Sequence, residues 1–363
     1  MRLHLPGLPH TVTNEEFSHC AFTAKILKFA KMMKPHGYEI IHYGVEGATT
    51  EASTQVDLMT AWEQTSLRGF DNSDKTRFIG EGANVNTELY LVYNNRLREE
   101  LKKRVQPEDL VLLPFGHGHA QAVQGLGFRC VESGIGYATL CPLAAYKIFE
   151  SFCWQHFHLG RQNELNGHNY EWVVPNYFDL EQWRVNFMPQ NYIAFLGRIF
   201  DLKGLKTIQA IAHARPNEHF IIAGQGDPKP YLTEPNIEYR PPMVGRERET
   251  FLGNARAILM PSVFIEPFCG AAVEAMLCGT PVISTPFGAF TETVEDQVTG
   301  FRCHTLGDFC GAVDRVGELD RAYIAARARR LYGFERVGKM YHRVFQQIDE
   351  LRRKGWYCET PTF

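Results

Sequence analysis

The sequence of 363 residues lacks the features that mark several large classes of protein. No apolar run approaches the roughly 20 residues that a membrane-spanning helix needs, and residues 1–12 lack the apolar core of a signal peptide. The formal net charge of −3 argues against a strongly basic surface for nucleic acid, although it leaves room for local patches. The sequence contains no internal repeat and no low-complexity segment. We therefore expect a globular, cytoplasmic protein.

The nine cysteines do not form a pattern typical of metal sites or disulfide frameworks. They include no Cys-x-x-Cys pair and show no regular spacing, whereas structural zinc sites usually contain such pairs. Buried cysteines without partners are common in proteins of reducing compartments. We expect reduced thiols and no zinc site.

The sequence does contain enough apolar residues for a substantial core. Hydrophobic residues make up 44% and charged residues 22%, which is the balance of an ordinary globular protein. A chain of this length suggests two domains of ordinary size. Short apolar runs alternate with segments of helix formers, and this alternation predicts an α/β fold.

The stretch from residue 256 to residue 284 predicts a strand, a loop, a helix and a second strand. Residues 257–260 are a short apolar run closed by proline, as expected of a buried parallel strand. Residues 270–277 are rich in helix formers, and a glycine and a proline follow them closely. Glu266 lies in the loop and Glu274 lies in the helix, so two carboxylates flank the predicted start of this helix.

Between these carboxylates, Phe268, Cys269 and Gly270 present backbone N–H groups at a helix N-terminus. Unpaired N–H donors and the helix dipole stabilise an anion at such a position. A nucleotide sugar suits the site, because the amides can hold its diphosphate while the carboxylates accept hydrogen bonds from ribose and sugar hydroxyls. The alternative interpretation is a charged loop residue and a solvated helix residue that bind nothing.

The segment from Glu266 to Glu274 resembles the Glu-x7-Glu motif of retaining glycosyltransferases with the GT-B fold, in glycosyltransferase family 4. In that family the first glutamate contacts the transferred sugar and the second contacts the nucleotide ribose. The resemblance implies an α/β architecture of two Rossmann-like, doubly wound parallel-sheet domains that face a cleft. It covers residues 172–301 well and the first half of the chain only in outline.

The resemblance also predicts where the domains divide. Residues 172–179 resemble the family's linker strand, whose Pro-Asn turn leads into the second domain. We therefore predict an acceptor-side domain over residues 1–175, in which residues 48–94 form helices and loops. A donor domain follows over residues 176–344. The tail, residues 345–363, is expected to pack back on the first domain.

Two cations of the second domain match the family's pattern. Arg198 and Lys203 lie between a predicted strand and a helix, where the family neutralises the donor diphosphate and the leaving group. Fixed cations stabilise the charge that the nucleoside diphosphate gains as the glycosidic bond breaks. The resemblance assigns catalysis to Arg198, Lys203, Glu266 and His119. The residues expected to bind the donor are Gly7, Gly197, Gly224, Met243, Phe268, Cys269, Gly270 and Glu274.

The first half of the chain supports fewer assignments. Gly7 lies in the loop after the first predicted strand, where the family often has paired glycines. His117 and His119 follow a predicted buried strand, where a histidine of the family commonly contacts the donor sugar; packing histidines are the alternative. The residues expected to form the acceptor pocket are His117, Glu132, Glu150 and Trp154. For the aromatic-rich segment 146–160, simple burial is the alternative.

Four lysines recur at every third position of the first predicted helix, which begins near Asn14: Lys25, Lys28, Lys31 and Lys34. Such a rim of cations could meet an anionic lipid surface or nucleic acid. A spacing of three spreads the side chains around half of the helix, so solvated charge is the alternative that we favour.

Together these features predict a retaining glycosyltransferase that moves a hexose-type sugar from a nucleotide sugar to a hydroxyl acceptor, with UDP favoured over GDP. We expect no cofactor and no metal, because Arg198 and Lys203 take the place of a cation and no Asp-x-Asp pair is present. The acceptor is open among a glycan, a lipid and a hydroxylated base in DNA, with peripheral membrane contact as an option. A nucleotide-sugar epimerase of the same fold and a non-catalytic nucleotide-sugar binder are the rival hypotheses.

Overall fold

The computed structural model describes residues 1–69 and 84–355, which contain two parallel β-sheets flanked by helices. The strands of the first sheet are β1 (Arg2–Pro6), β2 (Glu39–Val45), β3 (Thr54–Met59), β4 (Leu110–Leu112), β5 (Cys130–Ile135), β6 (Tyr146–Phe149) and β7 (Glu171–Val173). Their order across the sheet is β3-β2-β1-β4-β5-β6-β7. The order reverses between β1 and β4, and ligands of open α/β sheets bind at such a switch point.

The second sheet repeats this arrangement with six strands. They are β8 (Ile193–Leu196), β9 (Phe220–Ala223), β10 (Ile237–Arg240), β11 (Ala257–Met260), β12 (Val282–Ser284) and β13 (Gly300–Arg302). Their order is β10-β9-β8-β11-β12-β13, so this sheet has its switch point between β8 and β11. The strands β8, β9 and β11 are apolar and buried at every residue, because helices cover a parallel sheet on both faces.

Helices connect the strands of both sheets. They are α1 (Ala21–Met33), α2 (Ala61–Arg68), α3 (Glu88–Arg104), α4 (Ala120–Val123), α5 (Phe152–Arg161), α6 (Leu205–Ala214), α7 (Gly245–Asn254), α8 (Gly270–Leu277), α9 (Phe290–Thr293), α10 (Leu306–Arg315), α11 (Arg321–Tyr332) and α12 (Phe334–Lys354). None of the helices within residues 1–69 and 84–355 is both long enough and apolar enough to cross a membrane.

The last helix, α12, returns from the second domain to the first. Its buried residues Val337, Tyr341 and Phe345 belong to the core of the first sheet, and the ring of Tyr341 meets the ring of Phe29 on α1 at right angles. Packing on the first domain begins at Val337, so the returning segment includes residues that precede the predicted tail at residue 345. Residues 356–363 of the predicted tail lie outside the described residues.

Two elements of the first domain differ from the sequence-based expectation. The helix expected from Asn14 is a single 3-10 turn over Glu15–Phe17, and α1 begins only at Ala21. Within residues 48–94, Thr54–Met59 forms the edge strand β3, which pairs with β2 in parallel. Its first residues are half exposed or exposed, so it lacks the continuous apolar run of a central strand.

Candidate active site

A cleft of about 950 Å³ lies between the two domains and is lined by residues of both. Its second-domain wall forms where β8 and β11 end, at the switch point of that sheet. Its first-domain wall includes α1 and the loops that follow β5 and β6. The predicted site residues that line the cleft are Arg198, Lys203, Glu266, Glu150, Gly197, Gly224, Met243, Phe268, Cys269, Gly270 and Glu274.

Glu266 is held from two sides. Its carboxylate accepts hydrogen bonds from Ser262 Oγ at 2.5 Å and from Lys203 Nζ at 2.7 Å, and only 3% of the residue is exposed. The Lys203 ammonium also lies 4.8 Å from the ring centre of Phe264. Gly288 packs against the Glu266 backbone, where a Cβ would lie 2.8 Å from the Glu266 nitrogen. These contacts fix the carboxylate and its cation as one unit in the cleft wall.

Glu274 on α8 is paired with Arg248 on α7. Arg248 Nε donates to Glu274 Oε2 at 2.7 Å, and a terminal nitrogen of the same guanidinium donates to the same oxygen. Both residues line the cleft. The sequence analysis did not assign Arg248, because it did not identify α7; the available signal was an arginine in the segment that directly follows Met243.

Two glycines let the loops at the end of the second sheet approach one another. A Cβ at Gly224 would lie 1.8 Å from the carbonyl oxygen of Gly197, and the φ of Gly224 is 143°. A Cβ at Gly204, where φ is 78°, would lie 2.0 Å from the carbonyl oxygen of Pro261. No side chain fits at either position, so these glycines set the shape of the second-domain side of the cleft.

Arg198 follows β8 and adds a second cation near Glu266. Burial lowers the pKa of its guanidinium, and Glu266 is among the groups that raise it. An arginine side chain stays protonated in proteins at neutral pH. Arg198 and Lys203 therefore bring two positive charges to the same part of the cleft.

Cys269 directly precedes α8 and has a left-handed backbone, with a φ of 64°. Residues other than glycine rarely adopt this conformation, because Cβ crowds the following carbonyl oxygen. Burial, with a further contribution from Glu266, raises the pKa of the Cys269 thiol to about 12. The thiol is therefore neutral at the helix N-terminus, where charge would compete with an anion.

Glu150 lies at the first-domain wall, just after β6. Its carboxylate pairs with Lys25 of α1 and accepts a hydrogen bond from Asn176 Nδ2 at 3.0 Å. Gly136 lies directly over it, since a Cβ there would be 2.6 Å from Glu150 Oε1. The first-domain wall of the cleft therefore carries a carboxylate that is paired with a cation of the same domain.

The structure does not bring the two predicted histidines into the cleft. His119 is fully buried, its ring lies 6.5 Å from that of Tyr93 on α3, and burial lowers its pKa to about 3. His117 is half-buried beside Phe115, at 5.7 Å between ring centres, and it does not line the cleft either. Both are packing residues of the first domain. Within residues 1–69 and 84–355, no group of three or more His, Cys, Asp or Glu residues is arranged to hold a metal ion.

Three further predicted residues also lie away from the cleft. A Cβ at Gly7 would lie 2.9 Å from Thr13 Oγ1, so this glycine allows close packing inside the first domain. Glu132 is buried, accepts a hydrogen bond from the Tyr137 hydroxyl at 2.9 Å, and has its pKa raised to about 7 by burial. Trp154 is buried in the first core. These three residues are not part of the cleft lining, and their roles in donor or acceptor binding stay predictions.

Comparison with known proteins matches the second domain to a family. Residues 190–318 match the profile described as glycosyl transferases group 1. The D-inositol 3-phosphate glycosyltransferase of Paenarthrobacter aurescens is 29% identical over 169 residues, which cover 40% of this chain and 41% of that protein. The protein of that name from Mycobacterium leprae is 30% identical over 145 residues, covering 36% of this chain and 33% of that protein. The chain thus matches less than half the length of these curated relatives.

Solved structures match nearly the whole chain. Sucrose-phosphate synthase from Thermosynechococcus elongatus superimposes with a TM-score of 0.70 at 15% identity and covers 96% of this chain and 99% of its own. Anabaena HepE, in complex with UDP and glucose, superimposes with a TM-score of 0.66 at 14% identity and covers 95% and 99%. The chain has the GT-B fold, so the predicted fold class is confirmed. The match to the glycosyl transferases group 1 family covers residues 190–318 of its second domain.

Proposed function

We propose that this GT-B protein is a glycosyltransferase that moves a hexose-type sugar from a nucleotide sugar, with UDP as the favoured nucleotide, to a hydroxyl acceptor. The transfer retains the anomeric configuration and requires no metal ion. The matched family and the curated relatives, which are named as glycosyltransferases, support this class of reaction. The UDP complex of Anabaena HepE motivates the choice of nucleotide.

The observation that carries the proposal is the pairing of each motif carboxylate with a cation at the start of α8. Glu266 holds Lys203 and Glu274 holds Arg248, and all four groups line one cleft. A nucleotide sugar carries both kinds of complementary group, since its phosphates are anionic and its hydroxyls donate hydrogen bonds. Its phosphates would pair with the cations and accept hydrogen bonds from the α8 amides, and its hydroxyls would donate hydrogen bonds to the carboxylates.

The chemistry follows from where the charge develops. As the glycosidic bond breaks, negative charge collects on the leaving diphosphate, and Arg198 and Lys203 stabilise it in the transition state. The burial of His119 removes the candidate histidine from the reacting atoms. We therefore assign the acceptor's proton to a phosphate oxygen of the leaving group, with attack from the face that the leaving group vacates.

The test is a panel of UDP-, GDP-, ADP- and TDP-sugars, each with EDTA, in thermal-shift and hydrolysis assays. A ligand that binds only the folded protein raises its melting temperature. We expect one nucleotide sugar to raise it and to release free sugar slowly, and proton NMR should show the donor's own anomer as the first product.

Other results separate the rivals. An isomerised nucleotide sugar would identify an epimerase, and binding without release of sugar would identify a binder. If no nucleotide sugar shifts the melting temperature, the proposed function is wrong. Glu274→Ala serves as a control, because loss of the predicted ribose contact should abolish the shift.

A further inference from the structure

The four regularly spaced lysines of α1 have different surroundings. Three of them hold a carboxylate: Lys25 pairs with Glu150, Lys31 with Asp179 and Lys34 with Glu51. Lys28 is the exception. Its ammonium has no carboxylate or hydrogen-bond partner among the described residues, although it lines the cleft between the domains. The interpretation of these lysines as one solvated set is therefore wrong for Lys28.

Lys28 extends from the first domain towards the start of α8 in the second domain. Its Nζ lies 5.2 Å from the ring centre of Phe178. Phe178 stacks on Phe268 at 6.4 Å, and its Cζ lies 4.0 Å from where a Cβ would sit on Gly270, the first residue of α8. Phe178 thus contacts both the Lys28 ammonium and the first residue of α8.

The charges around Lys28 also point to an anion. Burial lowers the pKa of Lys28; Glu274 raises it, Arg248 lowers it, and Glu15 and Asp179 raise it to a smaller extent. Asp179 is already paired with Lys31. Because Arg248 holds Glu274 by two hydrogen bonds, that carboxylate is already neutralised. A cation removed from water without a partner is costly, and the Phe178 ring compensates only part of this cost.

We propose that Lys28 binds the phosphates of a nucleoside diphosphate held at the N-terminus of α8, so that the first domain contributes a cation to the donor site. This inference rests on the proposed function and adds a donor contact from the acceptor-side domain. A phosphate at the start of α8 supplies the missing partner to the ammonium and receives a charge from each side of the cleft. Donor binding therefore also holds the two domains together.

The test compares the protein with its Lys28→Met, Lys28→Arg and Lys34→Met variants by isothermal titration calorimetry. The ligands are UDP, GDP and ADP, together with uridine, guanosine and adenosine. Lys34 is the matched control, because it directly follows α1 but is exposed and pairs with Glu51 at 3.3 Å. A hydrogen bond to a charged group is worth about 1.5–3 kcal/mol. Lys28→Met should therefore raise the dissociation constant of whichever diphosphate binds by about tenfold or more.

The expected pattern is a loss specific to phosphate. Lys28→Met should leave nucleoside binding unchanged, Lys28→Arg should retain the diphosphate, and Lys34→Met should behave as the unaltered protein. Lys28→Met should also melt no lower, since it removes a desolvated charge, and this shows that the variant is folded. Unchanged diphosphate binding in Lys28→Met, or an equal loss of nucleoside binding, would overturn this inference and leave the proposed function standing. If none of the three diphosphates binds the unaltered protein, the proposed function fails and this inference fails with it.

Discussion

At the scale of single residues, the two motif carboxylates each have a cationic partner within the protein. Lys203 holds Glu266 and Arg248 holds Glu274. Under the proposed function, a nucleotide sugar would bind by exchange of ion pairs: its phosphates would pair with the cations, and its hydroxyls would donate hydrogen bonds to the carboxylates. The free energy gained from the new ion pairs is largely offset by the free energy lost with the old ones. Selective binding therefore requires a ligand that carries both phosphates and hydroxyls.

The first prediction concerns Lys203. We expect Lys203→Ala to lower kcat by about 10²–10³-fold, because the lost charge acts mainly on the developing diphosphate in the transition state. KM should change much less. Steady-state kinetics measures both, and Lys206→Ala is the matched control, since the Lys206 side chain is 73% exposed and pairs with Asp201. An unchanged kcat with a raised KM would show that Lys203 contributes to ground-state binding alone.

The second prediction concerns Cys269. Its left-handed backbone costs about 1–2 kcal/mol for a residue with a Cβ. Cys269→Gly should therefore stabilise the protein by about 1 kcal/mol after the greater chain entropy of glycine is counted. Cys269→Ala keeps the Cβ and should give no such gain. The melting temperatures of the two variants test this prediction. Equal values would show that the backbone at Cys269 is not strained.

At the scale of elements, α5 of the first domain is capped by a residue of the second. The Glu292 carboxylate accepts hydrogen bonds from the backbone N–H groups of Phe152 and Cys153, at 3.1 and 2.7 Å. Ser151, directly before this helix, donates to the carbonyl oxygen of Pro267 at 2.6 Å. A helix start whose donors are satisfied by the other domain ties the two domains together beside the cleft.

The third prediction follows from this cap. Glu292→Ala should destabilise the protein by about 1 kcal/mol, because the first N–H groups of α5 lose their acceptor. Thermal unfolding measures the change. Glu318→Ala is the control, since Glu318 is exposed and pairs with Arg315, three residues away. Equal melting temperatures for the two variants would show that water replaces the carboxylate at no cost.

Elements of the second domain could be predicted closely because their signals are local. Residues 257–260 and 270–277 form a strand and a helix with those bounds, since apolar runs end at proline and glycine. The edge strand Thr54–Met59 escaped detection because only part of it is buried. The site was harder, because burial of His119 depends on α3 and the role of Arg248 depends on α7; neither packing partner is visible from neighbouring residues.

At the scale of the whole molecule, several buried histidines make stability depend on pH. Burial lowers the pKa of His42 to about 4 and that of His119 to about 3, against 6.5 for an ordinary histidine. In this range the unfolded chain binds protons that the folded chain does not, so stability falls as pH falls below about 7. Glu132 acts in the opposite sense, because its pKa is raised to about 7 and the folded state keeps its proton.

The fourth prediction is that the melting temperature decreases steadily from pH 7.5 to pH 5, because the histidines outweigh the single carboxyl group. Differential scanning calorimetry across this range measures it. His119→Phe should flatten the dependence, since it removes one group that cannot be protonated in the folded state. His213→Gln should leave the pH dependence of the melting temperature unchanged, because the His213 side chain is 81% exposed. A steeper dependence in His119→Phe would contradict the assignment.

The return of α12 sets the order in which the two domains can finish folding during synthesis. The second sheet and its helices are complete once residue 333 has left the ribosome, whereas the core of the first domain still lacks Val337, Tyr341 and Phe345. The half of the chain that is translated first therefore finishes folding last. Until α12 arrives, Phe29 and the apolar face of α1 remain open to chaperones, so a shortened C-terminus would harm the N-terminal domain first.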